Sequence, residues 1–213
     1  MDSLLNALLV LVLALNLFAL GTSRIITIIK VVSLQGFLLG LMPLLIEEHF
    51  LWTSALSSVV TILLKGLIIP FMLLRAMRDV RIKREIEPLI RIVPSMLFGA
   101  LATGFALLLS RALPLADVHS SHLLVPASLS TIFAGFILLT TRAKAITQVM
   151  GYLVLENGIY IFGMLLLGTM PMVVELGVLL DLFVGVFVVS IIINHINRAY
   201  SSLDTRRLVT LKE

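Results

Sequence analysis

Four ionisable side chains lie inside long apolar stretches of this sequence: Lys65, Glu156, Glu175 and Asp181. A charged group at the centre of a bilayer is costly, about 2.5 to 3.5 kcal/mol even on insertion scales, so such residues face a protein interior or a water-filled cavity and mark ion or proton routes or bundle contacts. Glu156 is some eleven residues into the run 145–167, about 16 Å along a helix, too deep to snorkel to water. Asp181 is similarly central in the run 170–193. Glu175 lies near one end of that run, and six positions from Asp181, about 9 Å along the axis, so the two form successive steps more readily than one paired site. Lys65 stands mid-run in TILLKGLIIP, beside Gly66 and Pro70. A lysine at that depth either gives up its proton or keeps its charge next to a carboxylate. Both behaviours suit proton movement, and a buried ion pair holding two helices together is the plainer alternative. Gln35 can hydrogen-bond without carrying charge, Asn157 adjoins Glu156, and Asn6 and Asn16 read as helix contacts. His195, at the end of the last apolar run, is a further relay candidate, because histidine is the side chain whose ordinary charge change falls near physiological pH.

The elements that must position these residues follow from composition. Of 213 residues 60% are apolar and only 13% charged, and the mean hydropathy is +1.14. A soluble domain carries about 25% charged residues in its overall usage, so the chain is expected to be an integral membrane protein. Seven apolar runs, 4–20, 25–46, 50–74, 89–109, 123–139, 145–167 and 170–193, are each near the about 17 to 25 residues that a helix needs to cross. They lack the alternation of a barrel wall, which predicts an all-α polytopic protein of seven transmembrane helices. The first run follows only Met1–Ser3, without a basic leader or a small-residue cleavage site, and reads as a retained helix. Pro126 and Pro171 fall near helix starts, whereas Pro70 lies deeper and predicts a kink in the third helix.

Charge placement predicts the orientation. With the N-terminus outside, cytoplasmic segments hold fourteen of the 16 basic residues, from Arg24 and Lys30 through the Arg75–Arg91 cluster and Arg142 with Lys144 to the C-terminal Lys212; Arg111 alone is outside, and Lys65 is in a span. The C-terminus is then cytoplasmic. The stretch RAMRDVRIKREIEPLIR is the one substantial polar connection in mid-chain, and divides a three-helix unit (1–75) from a four-helix unit (91–213), joined by a basic segment (76–90) suited to phospholipid head groups or a cytoplasmic subunit. A faint echo between LQGFLLG (34–40) and LENGIYIFG (155–163) supports two parallel units, with Gln35 standing where the second has Glu156.

Several function classes drop out. The chain has no cysteine, which removes a thiolate zinc site and cysteine-ligated iron–sulfur clusters. His49, His119 and His122 have no metal-ligand spacing, and there is no phosphate-binding loop, dinucleotide fingerprint or nucleophile elbow. The net charge of +4 and pI near 9.8 reflect loop topology rather than nucleic-acid binding. Catalysis by this chain is not expected.

With GYLVLENGIYIFG at 151–163 and LLKGLIIPFML at 63–73 in view, the sequence resembles the small membrane component E of hydrogenase-4-type and formate hydrogenlyase complexes, the membrane-bound group 4 nickel–iron hydrogenases. Its last part, 122–195, resembles the small K subunit of respiratory complex I and the small subunit of multisubunit cation/proton antiporters. The resemblance implies that Glu156 is the family's first intramembrane carboxylate and that Asp181, followed by glycine in DLFVG, is the second, with Glu175 as the rival assignment. The Lys–Pro element around Lys65 matches the hydrogenase component and lies outside the part shared with complex I.

That resemblance implies a membrane-arm subunit beside large antiporter-like subunits, other small membrane subunits and a cytoplasmic redox module, in the bacterial inner membrane. No cofactor is expected in this chain; the nickel–iron centre and iron–sulfur clusters would belong to partner subunits. Its buried charges would link electron transfer to proton or sodium translocation, as a lateral connection between neighbouring subunits. An autonomous small ion transporter and a structural anchor are the competing readings.

Overall fold

The computed structural model describes residues 2–46, 52–80, 89–113, 123–166 and 177. Helix α1 (Asp2–Leu20) is rich in Leu and Ala and ends at Gly21, whose N–H bonds to the Leu17 carbonyl at 2.9 Å. A four-residue turn reverses the chain into α2 (Ile25–Leu41), which leads through Met42 into the single turn α3 (Pro43–Ile46). The third run winds as α4 (Trp52–Thr61), a π-helical segment (Ile62–Ile68) and α5 (Ile69–Val80). Then come α6 (Ile92–Ala112), α7 (Leu124–Thr141) and α8 (Ala145–Gly163), which closes with a 3-10 turn, Met164–Leu166.

The seven crossings expected from the apolar runs are not what the structure presents. Five helices among the described residues are long and apolar enough to cross a membrane: Ser3–Leu20, Ile25–Ile46, Ser58–Arg75, Ile92–Ala112 and Leu124–Thr141, with mean hydropathy between 1.8 and 2.4. Helix α8 has the length, but Gln148, Glu156 and Asn157 dilute it below those five, and much of it is buried against its neighbours. The run 170–193 lies outside the described residues save Gly177. The orientation expected from charge placement gains no support from the fold, which assigns neither end of the bundle to the exterior.

Helices α7 and α8 form an antiparallel hairpin with backbone-to-backbone contact. A Cβ at Gly135 would lie 2.6 Å from Leu155 Cα, one at Gly151 2.7 Å from Leu139 N, and one at Gly158 2.6 Å from Ile132 N. Small residues at such crossings let membrane helices approach closely and gain dispersion contacts. Helix α1 packs on α7 and α6, and α2 on α8 and the π segment. Helix α6 turns Ser95, Gly99 and Ala106 inward and leaves Val93, Leu97, Leu101, Phe105 and Leu108 exposed, the pattern of a helix with one face on the bundle.

Two apolar clusters fill the interior. One gathers Ala19, Leu20, Ile25, Ile28, Val32, Ala134, Leu138, Met150 and Val154; the other gathers Leu5, Leu9, Val12, Leu38, Leu39, Leu124, Ala127 and Ile161. Each of α1, α2, α7 and α8 contributes to both clusters, and between its two contributions carries buried polar side chains: Asn16, Gln35, Thr131, and Glu156 with Asn157. The polar groups thus form a layer midway along the bundle, where leaving a hydrogen-bonding group unsatisfied is expensive.

At the end of the bundle nearer the first cluster, Arg142 stands in the α7–α8 turn, as charge placement expects, but is wholly buried there, and its Nη2 donates to the Leu20 carbonyl at 3.0 Å. The last carbonyls of α1 have no partner within the helix and carry the negative end of its dipole, so a guanidinium there is doubly favoured. Gln148 Nε2 donates in turn to the Arg142 carbonyl at 3.1 Å. The α1–α2 and α7–α8 turns are thereby clasped together.

Candidate functional site

Helix α2 shapes the place where the third span delivers its lysine. Gly36 and Gly40, one turn apart, form a groove: a Cβ at Gly36 would sit 2.7 Å from the Lys65 carbonyl carbon, and one at Gly40 3.1 Å from Ile62 N. The π segment seats in that groove. Its wider winding, with Ile69 N–H bonding to Leu64 O, fits an extra residue into the turn and swings Lys65 inward. Pro70 has no N–H to give to the Gly66 carbonyl one turn back. Ser33 Oγ of α2 donates to that carbonyl at 2.6 Å instead. Where a kink is expected at Pro70, the helix carries a π segment just before the proline, held from the side by Ser33.

Inside the bundle Lys65 meets α8. Lys65 Nζ lies 3.4 Å from Glu156 Oε1, and the two side chains are only 8% and 7% exposed. The same ammonium sits over the ring of Tyr160, 5.0 Å from its centroid. Glu156 and Tyr160 are four residues apart, hence on one face of α8. The Tyr160 hydroxyl is 3.4 Å from Thr61 Oγ1, on the lysine's own helix. At 3.4 Å two unit charges attract by about 5 kcal/mol at an effective dielectric of 20, comparable with the several kcal/mol that each ion loses on leaving water. The arrangement is stable as a pair and costly as either half.

A directional hydrogen-bond chain runs beside it. Gln35 Nε2 donates to Asn16 Oδ1 at 2.8 Å, Asn16 Nδ2 donates to Thr131 Oγ1 at 2.8 Å, and Thr131 Oγ1 donates to the Ala127 carbonyl at 2.6 Å. The neighbouring Ser130 hydroxyl is 2.7 Å from Thr103 Oγ1 of α6. Helices α1, α2, α6 and α7 are thus joined by polar side chains. Among the described residues Gln35 Oε1 and Asn157 Nδ2 are buried without a hydrogen-bond partner. An amide chain has fixed donors and acceptors, so it orients Gln35 but does not pass a proton along.

Of the sequence-derived candidates, the structure brings Lys65 and Glu156 together and sets Gln35 in the adjoining layer. Asn16 joins that layer, and Asn6 Oδ1 accepts from Leu123 N–H at 3.1 Å. Asp181, Glu175 and His195 lie outside the described residues. Tyr160, Thr131 and Ser33 do not stand out in the sequence as chemistry-bearing residues; for Tyr160 a signal is present, an aromatic residue one turn after an intramembrane carboxylate. Among the described residues no group of three or more metal-binding side chains is brought together.

Fold and site define a polytopic α-helical membrane protein that encloses a lysine–glutamate pair in a mid-bundle polar layer. Among known proteins, the chain is 29% identical over 189 residues to an uncharacterized protein of Mycobacterium tuberculosis, covering 87% of this chain and 86% of that one. It is 26% identical over 169 residues to the hydrogenase-4 component E of Escherichia coli, covering 78% and 74% respectively, and the component E of Shigella flexneri matches equally. No family model matches the chain and no solved structure matches it. The relation to a hydrogenase-4-type component E is a distant one.

Proposed function

We propose that this chain is a non-catalytic subunit in the membrane arm of a complex I-like hydrogenase or formate hydrogenlyase, and that the Lys65–Glu156 pair helps couple electron transfer to proton or sodium translocation. The observation that carries the reading is the pair itself, 3.4 Å apart and almost fully buried, in a chain distantly related to hydrogenase-4 component E. A structural contact does not need charges at this depth, since an apolar contact of the same volume is often as stable or more so. In this reading the chain sits in the bacterial inner membrane beside antiporter-like subunits, and nickel–iron and iron–sulfur centres reside in the partners. The basic segment 76–90 separates a first membrane unit, 1–75, from a second, 91–213, and touches lipid head groups or the redox module.

The physical step is a change of charge. When Glu156 takes a proton the pair goes from neutral to a net single positive charge, and the attraction holding Lys65 against Glu156 largely vanishes. The uncompensated ammonium then favours release of a proton, or movement of a cation, at the next site, for which Asp181 and Glu175 are the candidates. Low surrounding polarity makes this coupling strong.

The experiment compares wild type with Glu156→Gln and Lys65→Met in proteoliposomes that contain the complex purified through a tag on this chain, after equal assembly is verified. Ion translocation is recorded alongside redox turnover. The expected result is loss of translocation, or of the turnover coupled to it, in both variants. Unchanged translocation and turnover would reduce the pair to a structural contact.

A further inference from the structure

We propose that Tyr160 positions Lys65: its ring face holds the ammonium at the moment Glu156 takes up a proton, so that the lysine's charge stays at the site and does not withdraw. This rests on the coupling role given to the Lys65–Glu156 pair above, and adds a residue and a step to it. Lys65 Nζ is held from two directions by one face of α8, with the carboxylate at 3.4 Å and the Tyr160 centroid at 5.0 Å. The second distance is within the about 6 Å over which a ring quadrupole attracts a cation.

The two attractions respond differently to protonation. A proton arriving on Glu156 forms one O–H bond, leaves no other bond altered and removes the anion. The ring carries no charge to lose, so its attraction persists, and in a desolvated site it is at its strongest. The Tyr160 hydroxyl lies 3.4 Å from Thr61 Oγ1 of the lysine's own helix, longer than the about 2.5 to 3.0 Å of a firm O–H···O bond, so the ring face and not the hydroxyl is what holds Lys65. Helix α2 fixes the backbone from which Lys65 reaches: Gly36 lies against the Lys65 backbone and Ser33 Oγ donates to the next carbonyl. A leucine at position 160 would fill much of the space and offer the ammonium nothing.

The test places phenylalanine and its mono-, di- and trifluorinated analogues at position 160 in the full chain, purifies the intact complex, and measures translocation per redox turnover. Fluorine drains the negative potential of the ring face while hardly altering ring size, so packing and assembly stay constant across the series. Phenylalanine itself is expected to translocate nearly as wild type, with each added fluorine lowering the ratio, to about two- to fivefold below phenylalanine in the trifluoro form. A flat series would overturn the role of the ring face, as would loss of coupling with unmodified phenylalanine, which would place the function on the hydroxyl. Glu156→Gln is run beside it. Loss of translocation in Glu156→Gln with a flat fluorine series removes Tyr160 alone, whereas retained translocation in Glu156→Gln removes the pair's coupling role and this inference with it.

Discussion

A double-mutant cycle across Lys65 and Glu156 tests the physical basis of the site without any knowledge of its partners. The charges are 3.4 Å apart and less than a tenth exposed, so their mutual attraction is about 5 kcal/mol at an effective dielectric of 20. Removing one partner discards that attraction and strands the other charge, a loss of about 3 to 5 kcal/mol. Lys65→Met and Glu156→Gln alone should therefore each lower the thermal midpoint of the detergent-solubilised protein by roughly 10 °C, at about 2 to 4 °C per kcal/mol for a chain of this size. The double variant leaves neither charge, and should regain most of the loss, giving a coupling energy of at least about 2 kcal/mol. Unfolding followed by scattering and by tryptophan fluorescence reads the midpoint. A double variant as unstable as the two single losses added together would refute the pairing, because independent sites add.

Three further outcomes are expected from the same geometry. Ser33→Ala should lower stability by about 1 to 3 kcal/mol by orphaning the Gly66 carbonyl, and Pro70→Ala, which restores an N–H one turn on, should suppress most of that loss; equal losses in both backgrounds would show that Ser33 does not stand in for the proline's missing donor. Gly36→Val changes no charge, yet its Cβ would fall 2.7 Å from the Lys65 carbonyl carbon, so it should cost about 1 to 3 kcal/mol by overpacking and also weaken coupled translocation, measured against a Gly104→Ala control in which a Cβ meets nothing within 4 Å. Arg142→Met should destabilise by about 2 to 5 kcal/mol by leaving the C-terminal end of α1 without its donor, read as faster proteolysis near the α1–α2 turn.

Much of the candidate site was legible because hydrocarbon is intolerant of charge. Lys65 and Glu156 stand out in any reading of the chain as ions within apolar runs, and Gly66 and Pro70 announce irregular winding. Their pairing was not legible: they are distant in sequence, and Lys65 reaches α8 through a π segment seated against Gly36 and Gly40, a geometry that no local periodicity signals. Arg142 shows the same limit: a basic residue between two apolar runs reads as a loop charge, which it is, and only packing buries it as the donor for the end of α1. Asn16 and Thr131 were ordinary polar residues until α1, α2 and α7 aligned them into one chain.

An apolar run is not by itself a crossing: five described helices are long and apolar enough to cross a membrane. The amino-acid sequence by itself determined the class of protein, since 60% apolar residues leave no way to make a water-soluble surface, and it determined which side chains would be costly to bury. Only the tertiary structure decided that α8 is shielded by neighbours along its glycine-lined contact, and that a lysine, a glutamate and a tyrosine meet at mid-bundle. The physical reason is that hydrophobicity is a property of each segment and can be read along the chain, whereas the pairing of buried charges depends on the close approach of helices remote in sequence.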